Sequence, residues 1–203
     1  MSGPRNNTKD RQMRQRIAME AARILVDSAM RDYQAAKRKA AARLGAPDTR
    51  NLPSNLEIEE ALAEYQRLFQ SETQPVRLRE LRQVALEAMR FLERFQPRLV
   101  GSVLSGTAGD HADVQLHLFA DTPEEVVLFL FEHNIPYQES ERRLRYAKDE
   151  YSSYPVYRFL AGGARVDLTV LPVNCLRRSP RSAIDGKPMH RAPMLEVEAL
   201  LEV

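Results

Sequence analysis

The chain has no tryptophan and only one cysteine, Cys175. A single thiol excludes an intrachain disulfide and a cysteine-built zinc site. Cys175 follows an apolar segment and reads as a small buried residue rather than a nucleophile. No apolar run approaches the roughly 20 residues that span a bilayer. The first twenty residues are polar and basic, without the apolar segment of a secretory leader. These absences point to a cytoplasmic protein with no membrane partner. Charge of one sign is also scarce: 30 Lys and Arg against 28 Asp and Glu leave +2. No strong overall field draws the chain to nucleic acid or lipid. Glycine is limited to 8 of 203 residues, and none forms a P-loop or a dinucleotide fingerprint. No Ser-His-Asp or Cys-His arrangement has recognisable spacing.

The small charge is unevenly spread. Residues 1–50 carry twelve Lys and Arg against five Asp and Glu, a balance of +7, and the remainder balances at −5. A basic helical arm that touches RNA or DNA is one reading; a solvated helix surface is the other. Residues 1–8 are polar, with Gly3 and Pro4, and read as a disordered start. Residues 10–44 then form one long helical pattern without internal Gly or Pro. Met13, Ile17, Ala21, Ile24, Leu25, Ala29, Tyr33 and Ala36 make its apolar stripe. The stripe is rich in alanine beyond Leu25, which suits packing on another helix, including one across a homodimer. Gly45 and Pro47 end it.

Ser54 and Glu57 form a capping box for a second helix over 56–70. Pro75 suits the first turn of a third, over 75–96. Residues 98–104 read as a strand. Residues 113–120 alternate at period two, with Val114, Leu116 and Leu118 on one face and Asp113, Gln115 and His117 on the other. The apolar face belongs to the core, so the polar face looks into a cleft or solvent. Thr122, Pro123 and two glutamates start a helix. Residues 137–146 suit an edge strand. Residues 155–160 and 165–171 flank Gly162–Gly163 as a hairpin, whose second strand is central. A basic, proline-rich segment over 177–193 and a short helix over 194–201 close the chain. The fold class is α+β: a helical region over 1–96, then a small mixed-sheet domain over 97–203.

One stretch carries chemistry. An apolar pair, Leu99–Val100, meets Gly101–Ser102. Gly106 lies inside the following segment, and Asp113 opens the alternating strand. Asp167 sits between Val166 and Leu168 on a later strand. The pattern resembles the signature of the nucleotidyltransferase superfamily, the fold of DNA polymerase beta and the aminoglycoside nucleotidyltransferases. The resemblance covers residues 97 to 172 and departs at one position, where Gln115 replaces the second aspartate of Asp-x-Asp. It implies Asp113, Gln115 and Asp167 as ligands of Mg2+ or Mn2+, with Asp113 and Asp167 catalytic. It implies that Gly101, Ser102 and Gly106 cradle a nucleoside triphosphate. The implied function is transfer of a nucleoside monophosphate to an unknown acceptor. The alternative is an inactive member of the fold that binds a nucleotide or a protein partner. An amide oxygen coordinates a hard cation but carries no charge, so Gln115 weakens metal binding. His117 is an additional candidate ligand on the same face. Asp110 and His111 are candidates for phosphate or metal contact, or a solvated loop; Arg142, Arg143, Arg145 and Lys148 are candidates for triphosphate contact, or a solubilised edge strand.

Overall fold

The computed structural model describes residues 4–28, 32–47 and 49–202. Its class is α+β, as expected. The chain divides into two compact units. The first holds residues up to Gln74 together with Gly109–His111 and Ala183–Asp185. The second holds the rest, beginning at Pro75. The helical region expected over 1–96 is therefore shared between units, because its last helix packs on the sheet.

In the first unit, α1 spans Pro4–Asp27, α2 Tyr33–Arg43 and α3 Asn55–Phe69. Two expectations are corrected here. Residues from Pro4 onward are helical rather than a disordered start, since proline fits a first helical turn. The helix expected over 10–44 is two helices. Asp32 takes an extended conformation and accepts from the backbone N–H groups of Gln34 and Ala35. An aspartate that caps orphan amides starts a new helix more favourably than it continues an old one. Ala29 of the expected stripe lies outside the described residues, as do Met1–Gly3. The alanine stripe finds its partner helix inside the chain: Ala36, Ala40 and Ala41 are buried with Ile17, Ala21, Ile24 and Ile58.

The capping box at Ser54 and Glu57 is formed. Glu57 also takes two hydrogen bonds from Arg14, at 2.8 and 2.7 Å. The Arg14 hydrogen bond is the main reason the Glu57 carboxyl is pulled down to about 2. Replacing Ser54 with alanine should remove one cap and cost about 1 kcal/mol, read as an earlier helical melt by circular dichroism.

α4 spans Thr73–Phe91, lies in the second unit from Pro75 onward and is followed by a 3-10 turn at Glu93–Phe95. β1 is Arg98–Val100, α5 Ser102–Ser105, β2 Val114–Ala120 and α6 Pro123–Glu132. β3 is Gln138–Arg145, β4 Tyr151–Ala161, β5 Ala164–Pro172 and α7 Met194–Glu202. The strand expected over 98–104 stops at Val100. Gly101, at φ +77°, turns the chain into the single turn of α5. The sheet order is β1-β2-β5-β4-β3. β2 and β5 run parallel, and the other neighbours are antiparallel. β5 is central and β3 an edge, as expected. β1 is protected on its outer side by paired bonds between Leu99 and Ala192, each 2.9 Å.

Alternation gives this sheet two distinct faces. Val114, Leu116, Leu118, Val166, Leu168, Val170, Tyr157 and Phe159 pack on Leu81, Ala85 and Met89 of α4 and Leu130 of α6. The opposite face is divided along the strands. One end is apolar, where Phe119, Leu171, Leu144 and Tyr146 surround Cys175. The other end carries the candidate site. Among the described residues, no helix is long and apolar enough to cross a membrane.

Candidate functional site

Register brings the expected residues onto one sheet face. Gln115 pairs with Asp167 across the parallel β2–β5 ladder, and Asp167 pairs with Arg158 of β4. The next row toward the apolar end runs Arg98, His117, Thr169, Val156. Asp113 and Arg165 lie one step the other way. The polar face does not open to solvent as expected: Asp167 is fully buried, Asp113 is 3% exposed and His117 1%. A buried charge persists only when paired, and the partners are arginines.

Arg158 grips Asp167 in a fork, Nε to Oδ1 at 2.6 Å and Nη2 to Oδ2 at 3.0 Å. Arg142 adds Nη2 to Oδ2 at 3.0 Å and gives Nη1 to the Thr169 hydroxyl at 3.1 Å. Bidentate guanidinium pairing is among the stronger hydrogen-bonded contacts available to a carboxylate. It raises the Arg158 pKa further above its ordinary value, the hydrogen bond being the main cause. Asp113 is held by Arg165, Nε to Oδ1 at 2.9 Å. The arginines roof the carboxylates, their side chains being 26%, 32% and 47% exposed for Arg142, Arg158 and Arg165.

The Gly-Ser turn meets this face through Gln115. A Cβ on Gly101 would lie 3.0 Å from Gln115 Oε1. The Ser102 carbonyl accepts from the amides of Gly106, Thr107 and Ala108, at 2.9, 3.1 and 3.1 Å. Gly106 ends α5 in the left-handed region, and its missing Cβ points toward Arg82 and Leu78 of α4. Gly101 and Gln115 are thus brought together with the carboxylates, while Gly106 serves the turn. Gly101→Ala should cost about 1–2 kcal/mol through its positive φ, with a further steric cost at Gln115. Adding Gln115→Ser should recover the steric part and leave the φ cost, measured as urea midpoints of the single and double variants.

His117 has no carboxylate beside it among the described residues. Burial, with the charges of Arg191 and Arg142 adding to it, pushes its imidazole down to about 3. Arg191 lies over the Phe119 ring, 5.3 Å from the centroid. Five guanidiniums, of Arg98, Arg142, Arg158, Arg165 and Arg191, thus serve a face that holds two carboxylates, Asp113 and Asp167.

A divalent cation needs carboxylate oxygens turned toward it. Here both oxygens of Asp167 and one of Asp113 accept from arginine, and the third expected ligand is an amide. Among the described residues, no three His, Cys, Asp or Glu side chains are placed to hold an ion. The expected set of Asp113, Gln115 and Asp167 does not fit Mg2+ or Mn2+ as folded. No protein-family model and no curated protein matches the chain. Its chemistry therefore rests on the residues themselves. Of these, Arg142 was legible as a phosphate candidate, whereas Arg158 and Arg165 were missed. Their signal was strand alternation: Arg165 shares a face with Asp167, and the Gly162–Gly163 hairpin sets Arg158 opposite it. Among the other candidates, Arg143 stacks on Tyr151 at 4.1 Å. Asp110 and His111 group with the first unit.

Proposed function

We propose that the chain is a nucleotidyltransferase-like protein that binds a nucleoside triphosphate without transferring its nucleotidyl group. The observation that carries this reading is the arginine pairing of Asp113 and Asp167 beside an uncharged Gln115. In-line transfer depends on positioning and on neutralising the charge of the triphosphate with metal ions. Guanidiniums also neutralise phosphate charge, and their planar forks match its oxygens. They do not supply the ion that polarises the attacking and leaving oxygens. The half-exposed Arg158 and Arg165 would face the phosphates, beside the Gly101–Ser102 turn. The alanine stripe that suggested a dimer is occupied within the first unit, so the binding unit in this reading is one chain. Nucleic acid at the basic first helix finds no added support.

Thermal-shift titration with the four triphosphates tests this, each with Mg2+, Mn2+ or a chelator. Ligand binding to the native state raises apparent stability by mass action. The expected result is stabilisation that persists in the chelator, with no label transferred from an α-labelled triphosphate. Stabilisation that requires a divalent ion, together with label transfer, would restore the enzymatic reading. The absence of any shift would point to a protein-interaction role.

A further inference from the structure

Arg98 and Arg191 meet no carboxylate among the described residues. Arg98 Nη1 donates to the carbonyls of Gln96 and Pro97, at 3.2 and 3.0 Å. Arg191 donates to the carbonyls of Cys175 and Leu176, each at 2.9 Å. Carbonyls orient these guanidiniums but leave their charges uncompensated. Arg98 stands directly beside His117 in the β1–β2 register. On the other side of His117 is Thr169, whose hydroxyl accepts from Arg142. Arg191 covers Phe119, two residues further along the same face. The cationic charges that act on His117 come from Arg142 of β3 and Arg191 of the C-terminal segment, and Arg98 is its register neighbour on β1. The carboxylates of this face, Asp113 and Asp167, are each already bonded to guanidiniums.

At the centre of these cations, His117 Nδ1 is buried without a hydrogen-bond partner. A buried polar atom left unmet is costly and rare in folded proteins. A water would meet the nitrogen and leave the surplus charge. A metal ion would meet the nitrogen and be repelled by the guanidiniums. An apolar group would answer neither need. An oxoanion answers both: one oxygen accepts from Nδ1–H, and the others accept from arginine N–H groups. Arg98 and Arg142 are only partly buried, so rotation of their side chains gives the anion its way in.

We propose that Arg98, His117, Arg142 and Arg191 form a receptor for a single phosphate-type oxoanion. The receptor uses a different row of the sheet from the Gly101–Ser102 turn and stands whether or not a triphosphate binds there. The phosphoryl group comes either from inorganic phosphate or from a phosphate monoester. The negative charge of the bound oxoanion stabilises a proton on His117, so ligand and proton bind together.

The experiment is an NMR titration of the His117 ring in the full chain, in phosphate-free buffer. Inorganic phosphate, adenosine monophosphate, adenosine and chloride are compared at matched ionic strength. With phosphate, the His117 midpoint is expected to rise by at least one unit, and chloride and adenosine should leave it in place. A monophosphate that moves His117 while inorganic phosphate does not would assign the site to the ester. Arg98→Gln should weaken binding about 10-fold, the scale of one charge-assisted hydrogen bond, without lowering the melting temperature measured in the absence of phosphate. His117→Gln serves as the second variant and should weaken binding similarly. A His117 ring unmoved in both millimolar phosphate and millimolar adenosine monophosphate overturns the proposal, as does equal affinity of wild type and Arg98→Gln for whichever of the two binds. Triphosphate binding together with a His117 ring that neither phosphate nor a monophosphate moves would retain the nucleotide reading and sink this one. Phosphate binding with no triphosphate binding would do the reverse.

Discussion

Asp167→Asn is expected to lower stability by about 3 kcal/mol, roughly 10 °C in melting temperature for a chain of this size. The substitution keeps the shape of the side chain and removes its charge. Asp167 is fully buried and accepts three arginine hydrogen bonds. An asparagine can accept at one atom only, and its amide nitrogen would face guanidinium N–H groups. Two cations would then crowd a buried site with no anion between them. Because Arg142 and Arg158 retain some exposure, they can swing outward, which keeps the loss below that of a fully sealed pair. Arg158→Lys should also be destabilising, since an ammonium cannot reproduce the fork. In the Asp167→Asn background, Arg158→Lys should cost much less, because the partners form one network. Urea unfolding at pH 7 measures all three variants. A loss under about 1 kcal/mol for Asp167→Asn would mean that the arginine cluster contributes like an ordinary surface ion pair.

Acidification should destabilise the second unit through His117 well before carboxylates titrate. Burial holds this imidazole down to about 3 in the folded chain, against an ordinary value near 6.5. The unfolded chain therefore takes up a proton in the interval where the folded chain does not. Stability is complete above about pH 6.5 and declines as pH falls toward 3. At pH 5 the loss should reach about 2 kcal/mol relative to pH 8. Glu57 acts in the same direction, but its folded value of about 2 places its loss below about pH 4.5. The two windows are thus separable. His117→Gln should flatten the stability profile between pH 7 and 5 and leave the steeper acid limb in place. Fluorescence- or dichroism-detected melts in phosphate-free buffers across this range provide the measurement. An unchanged slope in His117→Gln would assign the acid sensitivity to other groups.

Local rules made much of this fold legible. The capping box at Ser54, the alternation from Asp113 to Ala120 and the two-glycine hairpin each declare themselves over fewer than ten residues. The hairpin also contained more than its strands. A turn centred on Gly162–Gly163 pairs residue 158 with 167, so the contact between Arg158 and Asp167 follows from alternation and pairing alone. The break between α1 and α2 was harder, because Asp32 lies in a sequence of good helix formers. There, burial of the alanine stripe against Ile17 and Ile24 outweighs the propensity to continue. The Asp113–Arg165 pair was not legible. It depends on the parallel register of β2 and β5, which no local signal sets. The burial of the polar face was equally hidden: composition marks Asp113, His117 and Asp167 as surface types, and only the arginines assembled around them allow otherwise.

The spacing of the arginine contacts along the chain has a kinetic side. Arg158 and Asp167 are separated by nine residues and joined by a tight hairpin, whereas Asp113 and Arg165 are separated by 52. Hairpins close in microseconds, and long loops carry a larger entropic barrier. The β4–β5 hairpin can therefore assemble its ion pair while still surrounded by water. β2 then docks beside a strand whose Asp167 is already neutralised, which leaves Asp113 as the carboxylate that is desolvated and paired in that long-range event. Had the partner of Asp167 come from β2, desolvation and long-range pairing would have fallen on the same event, at the slowest point of folding.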